Sequence, residues 1–296
     1  MRLRKKQQIE AIAKLPMTPF KEIWSSLKSN KRFMLGAIVI TLLVFMTLFA
    51  DFIAPFGMKA QDLNNALQRP NAIHWMGTDN LGRDVFSRVI YGGRTSLVIG
   101  LSAVSIALIV GGSLGILAGY YKGKVDIFIM RLSDVLLSIP SILLAIAIVA
   151  SFGSSMFNMI VAISIGSIPI FARIIRSSVL SLTEKQFIEA AHALGSSHFR
   201  IILKHILPNV LSAIIVQSSL GIATAILSAA GLGFIGLGLE ASVAEWGLML
   251  SSGRAYIRTH TFLTIYPGLA IMITILAFNM VGDGIRDALD PKLRER

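Results

Sequence analysis

Long stretches without charge alternate along the chain with short connections that carry nearly all the charge. Residues 33–50 are eighteen positions free of charge. At 1.5 Å per residue they approach the roughly 30 Å hydrocarbon core, which predicts a first membrane-spanning helix. Residues 95–119, between Arg94 and Lys122, predict a second. Between Asp134 and Arg173 lie 38 consecutive uncharged residues. A straight helix of that length would run about 57 Å, so the chain is expected to turn at Gly153, Ser154 and Ser155. That turn leaves 135–151 as span three and 156–172 as span four. Residues 209–239 and 261–282 predict spans five and six. Pro140, Pro169 and Pro267 fall in or beside these helices, where neighbouring helices can re-satisfy the freed backbone groups.

Composition turns six apolar helices into a membrane protein. Of 296 residues, 54% are hydrophobic and 15% charged, with a mean hydropathy of +0.71. Soluble domains carry about 25% charged residues, so lipid must solvate the excess apolar surface. Cysteine is absent, which excludes a disulfide framework and a thiolate metal site. The formal charge of +12 is topological. Six spans put segments 1–32, 120–134, 173–208 and 283–296 in one compartment with 21 Lys+Arg, against 7 in segments 51–94, 152–155 and 240–260. The excess places both termini in the cytoplasm. Nucleic-acid binding would instead want a basic face with aromatic platforms on a soluble domain.

The apolar run at 33–50 is too long for the core of a secretory signal and no A-x-A site follows, so it reads as an uncleaved first span. Just before it, Phe20, Ile23, Trp24 and Leu27 recur at helical spacing among Lys21, Lys28, Lys31 and Arg32. That pattern predicts a helix lying on membrane lipid.

Segment 173–208 is the longest inner connection and is patterned as helix, turn, helix. Thr183 with Gln186 fits a capping box opening a helix through Glu189, Ala190, Ala191 and Leu194. Gly195 can end that helix in a left-handed conformation, and a substitution such as Gly195→Asp is expected to force a Cβ into the turn. Ser196 or Ser197 can cap a second helix, with Phe199, Ile202, Leu203 and Ile206 on one face and Pro208 as its stop. Small residues and one acid displayed from the membrane suggest a docking knob.

Glu189-Ala190-Ala191, three residues, Gly195, then Leu207-Pro208 resembles the EAA loop in the membrane subunits of binding-protein-dependent ABC importers. His205 stands where the family pattern has a branched aliphatic residue. His74-Trp75-Met76-Gly77-Thr78-Asp79, Leu81-Gly82-Arg83-Asp84 and Ser87-Arg88 are similar to the segment after the first span in the second permease subunit of peptide and nickel importers, the oligopeptide/dipeptide permease C-like subfamily. Phe234-Ile235-Gly236-Leu237-Gly238, Glu245-Trp246-Gly247, Pro267-Gly268, Ala277-Phe278-Asn279 and Gly282-Asp283-Gly284 through Asp287-Ala288-Leu289-Asp290-Pro291 extend the likeness. Ala241-Ser242-Val243-Ala244 replaces the prolines usual before the Glu-Trp-Gly.

The resemblance implies an all-α integral membrane chain of six helices with the MetI-like type I ABC importer permease fold and an added first helix. It implies a cytoplasmic tail with an interfacial helix at 1–32, the first span and an extracytoplasmic segment at 33–94, a core permease at 95–283 and a cytoplasmic tail at 284–296. It implies a non-enzymatic conduit for peptides, nickel chelates or similar solutes in a prokaryotic cytoplasmic membrane. Its partners would be a second permease subunit in a heterodimer, two ATP-binding subunits and an extracytoplasmic solute-binding protein. Glu189, Ala190, Ala191, Gly195, His205, Leu207 and Pro208 would couple to the ATPases. The chain would hold no cofactor, with ATP and Mg on the partners, and spans four and five would convey loop motion to the pore.

Other features read as structural. Gly231, Gly233 and Gly236 match G-x-G-x-x-G but lack the strand and helix context of a dinucleotide site, so close helix packing is expected. His192, His198 and His205 read as polar contacts rather than metal ligands, with the last two on one face. Asp134 is expected to pair with Arg131 on its own helix, and Asp84 with Arg83 and Arg88. There is no phosphate loop, since Gly123-Lys124 lacks its flanking glycine and hydroxyl. No charge sits mid-span, which disfavours the alternative of an ion-coupled secondary transporter or a channel acting alone.

Overall fold

The computed structural model describes residues 19–289, with side chains from Trp24 onward. The side chains of Phe20, Lys21 and Ile23, the tail before Pro19, and Asp290-Pro291 lie outside the described residues. Among the described residues twelve α-helices follow in order. They are α1 (Pro19–Ser29), α2 (Lys31–Leu48), α3 (Ala50–Ile53), α4 (Val85–Tyr121), α5 (Gly123–Leu137) and α6 (Ser141–Phe152). After them come α7 (Met156–Thr183), α8 (Gln186–Ala193), α9 (His198–Ile201), α10 (Leu207–Ile235), α11 (Trp246–Gly253) and α12 (Phe262–Leu289). No strand is present among the described residues.

Helix α2 starts where Asn30 Oδ1 accepts from the amides of Arg32 and Phe33 at 3.0 and 3.1 Å. Among the described residues five helical columns are long and apolar enough to cross a membrane: α2, α4, α7, α9–α10 and α12. Span three differs from expectation. Helices α5 and α6 meet at an 80° bend at Ser138-Ile139-Pro140 instead of forming one helix over 135–151. Pro140 has no amide proton and biases Ile139 away from the helical region, so the chain breaks there and restarts at Ser141. Spans two and four are longer than the uncharged runs. Helix α4 begins at Val85, capped by Asp84, and α7 continues past Arg173 and Arg176 to Thr183.

The ends of the columns share faces. The C-terminal ends of α4 and α7 lie together, since Tyr120 touches the loop that α7 feeds. The α5–α6 pair must therefore carry the chain back between them. Phe33, at the start of α2, packs on Gly284 near the end of α12, which puts those two ends side by side. Asp134 pairs with Arg173 of α7 at 2.8 Å rather than with Arg131, and Asp126 holds Arg176 bidentately. Helix α5 thus lies against the C-terminal half of α7, because the bend aims its acids at α7 instead of along its own axis.

Helices α4 and α7 form the tightest seam. Gly111, Gly115 and Gly119, four residues apart, face the α7 backbone at Ile168, Ala172 and Arg176. A Cβ on Gly115 would lie 2.5 Å from the Ala172 carbonyl oxygen. Lipid tails are as apolar as leucine, so helices in lipid adhere through such close approach rather than through water exclusion. Phe171, Ile175, Val179, Ile99, Ala103 and Met159 fill the core beside the seam.

The G-x-G-x-x-G stretch is packing as well. Gly231 and Gly233 lie inside α10, Gly236 closes it at φ +90°, and Gly233 sits against Glu245 and the Leu248 amide.

Candidate functional site

Two polar constructions stand at opposite ends of the bundle. At one end, α7 runs into the loop 184–206 and α10 leads out of it. Helix α8 does not open on the predicted capping box. Thr183 Oγ1 donates to the Leu180 carbonyl at 2.9 Å, and Lys185 holds the cap position without a side-chain bond. The threonine is still inside α7, so its hydroxyl bonds back one turn. Helix α8 ends as expected. Gly195 takes φ +75°, with its amide on His192 O at 2.9 Å and the Ser196 amide on Ala191 O at 3.1 Å.

A Cβ at Gly195 meets no atom within 4 Å, so the turn is closed to side chains by its backbone conformation and not by crowding. Gly195→Asp should cost roughly 1 kcal/mol of local stability and leave the chain folded, measurable as a thermal-melt shift of a few degrees at most in detergent.

The second arm also differs. Ser197 occupies the cap of α9 without a side-chain bond, and α9 passes through a π turn at Ile202–Ile206 directly into α10. Pro208 does not stop it. The proline lacks an amide and its ring would strike the Lys204 carbonyl in an α-helix. The π turn widens the column at that point, with the Leu207 amide bonding Ile202 O five residues back. Helices α9 and α10 are thereby one continuous lever. The π turn also changes register, so His198 and His205 do not face the same way. His198 meets Tyr120, while the ring of His205 lies 6.4 Å from that of Phe187.

The exposed surface of this loop is specific. Ile188, Ile201 and Ile206 are buried beneath it, and Ala191 packs inward. Glu189 and Ala190 are exposed, and Glu189 has no ion-pair partner among the described residues. Leu194 is 86% exposed and Phe199 71%, on either side of the Gly195 turn. Leu207 is half-buried and Pro208 exposed. An acid, a small residue and two apolar side chains are thus left open together at the loop tip. Among the described residues no group of three or more His, Cys, Asp or Glu side chains is placed to hold a metal ion.

At the other end, residues 54–84 fold over the bundle as a cap, fastened by buried charge. Asp79 pairs with Arg83 at 2.6 Å and with Arg88 at 3.7 Å. Arg83 donates to the Ala241 carbonyl, and Arg88 to those of Val243 and Met58. Asp84 does not pair with the arginines. It caps α4 through the Ser87 amide and hydroxyl and holds His74 Nδ1 at 2.9 Å, because the cap position turns it away from them. The sequence motif contained Asp79 and His74, yet which acid takes which base depends on the fold of the cap.

Glu245 is the second fastening. Fully buried, it accepts from the Gly247 and Leu248 amides at 2.8 Å each and from Ser96 Oγ at 3.2 Å. Burial pushes its carboxyl above the usual carboxylate range, against the pull of these three donors. The neighbouring Trp246 Nε1 donates to Val89 O at 2.9 Å. Glu245→Ala strands two amides, which should lower stability by about 1–3 kcal/mol, read as a fall in melting temperature of the purified chain. Sequence reasoning missed Glu245 as a structural anchor. An acid one residue before an apolar helix start was the available signal.

Residues 111–295 match the family described as binding-protein-dependent transport system inner membrane component, and residues 18–70 match the N-terminal transmembrane domain of oligopeptide transport permease C. The chain is 49% identical over 278 residues to the dipeptide transport system permease protein DppC of Alkalihalophilus pseudofirmus, covering 94% of this chain and 91% of that one. It is 42% identical over 278 residues to the glutathione transport system permease protein GsiD of Pectobacterium atrosepticum, covering 94% and 92%.

Among solved structures it resembles inward-facing conformations of the MetNI methionine ABC transporter. The TM-scores are 0.57 and 0.58 at 18% identity, over 69% of this chain and 97–98% of those chains. The fold is that of a type I importer permease with an additional N-terminal helix. The chain belongs to the binding-protein-dependent ABC importer permeases, in the oligopeptide permease C-like subfamily, as a multi-pass transport subunit whose ATP hydrolysis is supplied by partner subunits.

Proposed function

We propose that the chain forms half of a translocation pathway for peptides, paired with a second permease subunit, and that residues 186–208 dock it to an ATP-binding subunit. The observation that carries this reading is the loop tip. Glu189, Ala190, Leu194 and Phe199 are presented to solvent while Ile188, Ile201 and Ile206 anchor them to α7 and α10. Both arms of the loop continue into bundle helices, so a push on the tip moves α7 and α10 together. A partner can bias two pore states only by contacting the loop differently in each, so the interface must change with nucleotide state. The orientation follows from the Lys and Arg distribution, which puts the loop and both termini in the cytoplasm and the cap outside, where a solute-binding protein delivers its load.

In this reading ATP and Mg stay on the partners and the chain carries no cofactor. Residues 33–94 add a first span and cap to a core permease at 95–283, with tails at 1–32 and 284–296. The test is reconstitution in vesicles with and without the ATPase subunits. ATP-dependent uptake of a dipeptide by the complete assembly, and none by the permeases alone under an ion gradient, is the expected result. Uptake driven by the gradient alone would establish the ion-coupled reading instead.

A further inference from the structure

We propose that Tyr120 is a positioning residue that fastens both arms of the coupling loop to α4, making this helix a direct line from the loop to the outer cap. The proposal rests on the loop being the docking site for the ATPase. Covalently the loop belongs to α7 and α10 only. Helix α4 reaches it through side chains. Tyr120 Oη lies 2.7 Å from His198 Nδ1 and 3.4 Å from His192 Nε2. His192 is in the last turn of α8 and His198 opens α9, so one hydroxyl grips the chain on each side of the Gly195 turn. The Tyr120 ring stacks on His192 at 6.1 Å and meets His198 edge-on at 5.6 Å, while Tyr121 adds a contact to His198 at 5.9 Å.

A phenol has one proton to give and lone pairs to receive. Tyr120 can donate to one imidazole and accept from the N–H of the other. The groups around this junction are Lys122, which faces Glu184 at 4.0 Å, and Glu189, which lines the same cavity of about 310 Å³.

The helix that carries Tyr120 in its last turn is 37 residues long, about 55 Å, and is capped at its other end by Asp84. There Asp84 holds His74 of the cap, Ser96 holds Glu245, and Trp246 packs on Gly92 and Gly93. One rigid element thus carries the inner latch at one end and both outer fastenings at the other. A loop shifted by its partner would shift α4 with it, and an event at the cap would reach the loop by the same route.

The test uses the complete importer in nanodiscs, with ATP hydrolysis measured with and without solute-loaded binding protein. Tyr120→Phe keeps the ring and removes only the hydroxyl. It should leave unstimulated hydrolysis within about twofold of wild type and cut the stimulation by binding protein about tenfold. His198→Phe should do the same, and the double variant should be no worse than either single one, because all three break one link. Full stimulation in both single variants, or additive losses in the double variant, would overturn the latch. Loss of uptake in Glu189→Lys alongside those results would leave the docking reading standing. Normal uptake in Glu189→Lys would instead remove the docking reading itself.

Discussion

Glu189→Lys should abolish solute uptake by the assembled importer while the chain still inserts and folds. The side chain is exposed on α8 and has no ion-pair partner among the described residues, so the bundle itself loses little by its replacement. Exposed substitutions of this kind usually stay within about 0.5 kcal/mol. At a docking surface the same change places a cation where an acid is expected to meet a basic partner. Disrupting a buried interfacial charge pair costs about 2–5 kcal/mol, which is about thirtyfold or more in affinity. Uptake into vesicles, membrane insertion and co-purification of the ATPase subunit measure the three parts separately. Wild-type uptake, or loss of insertion, would contradict the role given to the loop.

Gly115→Val should have the larger effect on the fold. Its Cβ would lie 2.5 Å from the Ala172 carbonyl oxygen, a backbone atom of α7 that can retreat only if the helix moves. Gly111 and Gly119 hold the same seam above and below, so the two helices would separate along three turns. Overpacking of this kind costs about 3 kcal/mol, and here it strikes the seam on which most of the core is built. Gly268→Ala is the control. Its nearest neighbour is a leucine methyl at 3.8 Å, and the change should be nearly neutral. Melting temperatures of the purified chains in detergent would separate the two. A Gly115→Val protein as stable as wild type would mean that the seam is not close-packed.

The membrane spans were legible because an uncharged run of sufficient length has few alternatives in lipid, where backbone groups must bond within the segment. Their ends were less so. Helix α7 continues through Arg173 and Arg176 because α5 supplies Asp134 and Asp126 to receive them, a pairing invisible along one helix. Pro140 and Pro208 look alike in sequence. The first breaks its helix, and the second rides in a π turn that restores the column.

The loop residues could be found from their spacing, and so could the Gly195 turn. The failed capping box at Thr183 shows the limit of such spacing, since α7 simply ran far enough to claim the hydroxyl. The glycines at 111, 115 and 119 carried a readable four-residue spacing, and it is the signal that would have located the seam. The Tyr120 latch had no such signal, because the tyrosine lies 72 and 78 residues from the two histidines and meets them only when α4 and α7 end together.

One thiol addresses the central claim directly. The chain has no cysteine, and Leu194 stands at the exposed tip of the loop. In Leu194→Cys importer in sealed membranes, a membrane-impermeant maleimide should label the thiol from the cytoplasmic side only, and bound ATPase subunits should block that labelling to a degree that changes with ATP. Labelling from the outer side, or labelling indifferent to the ATPase subunits and their nucleotide, would contradict the account.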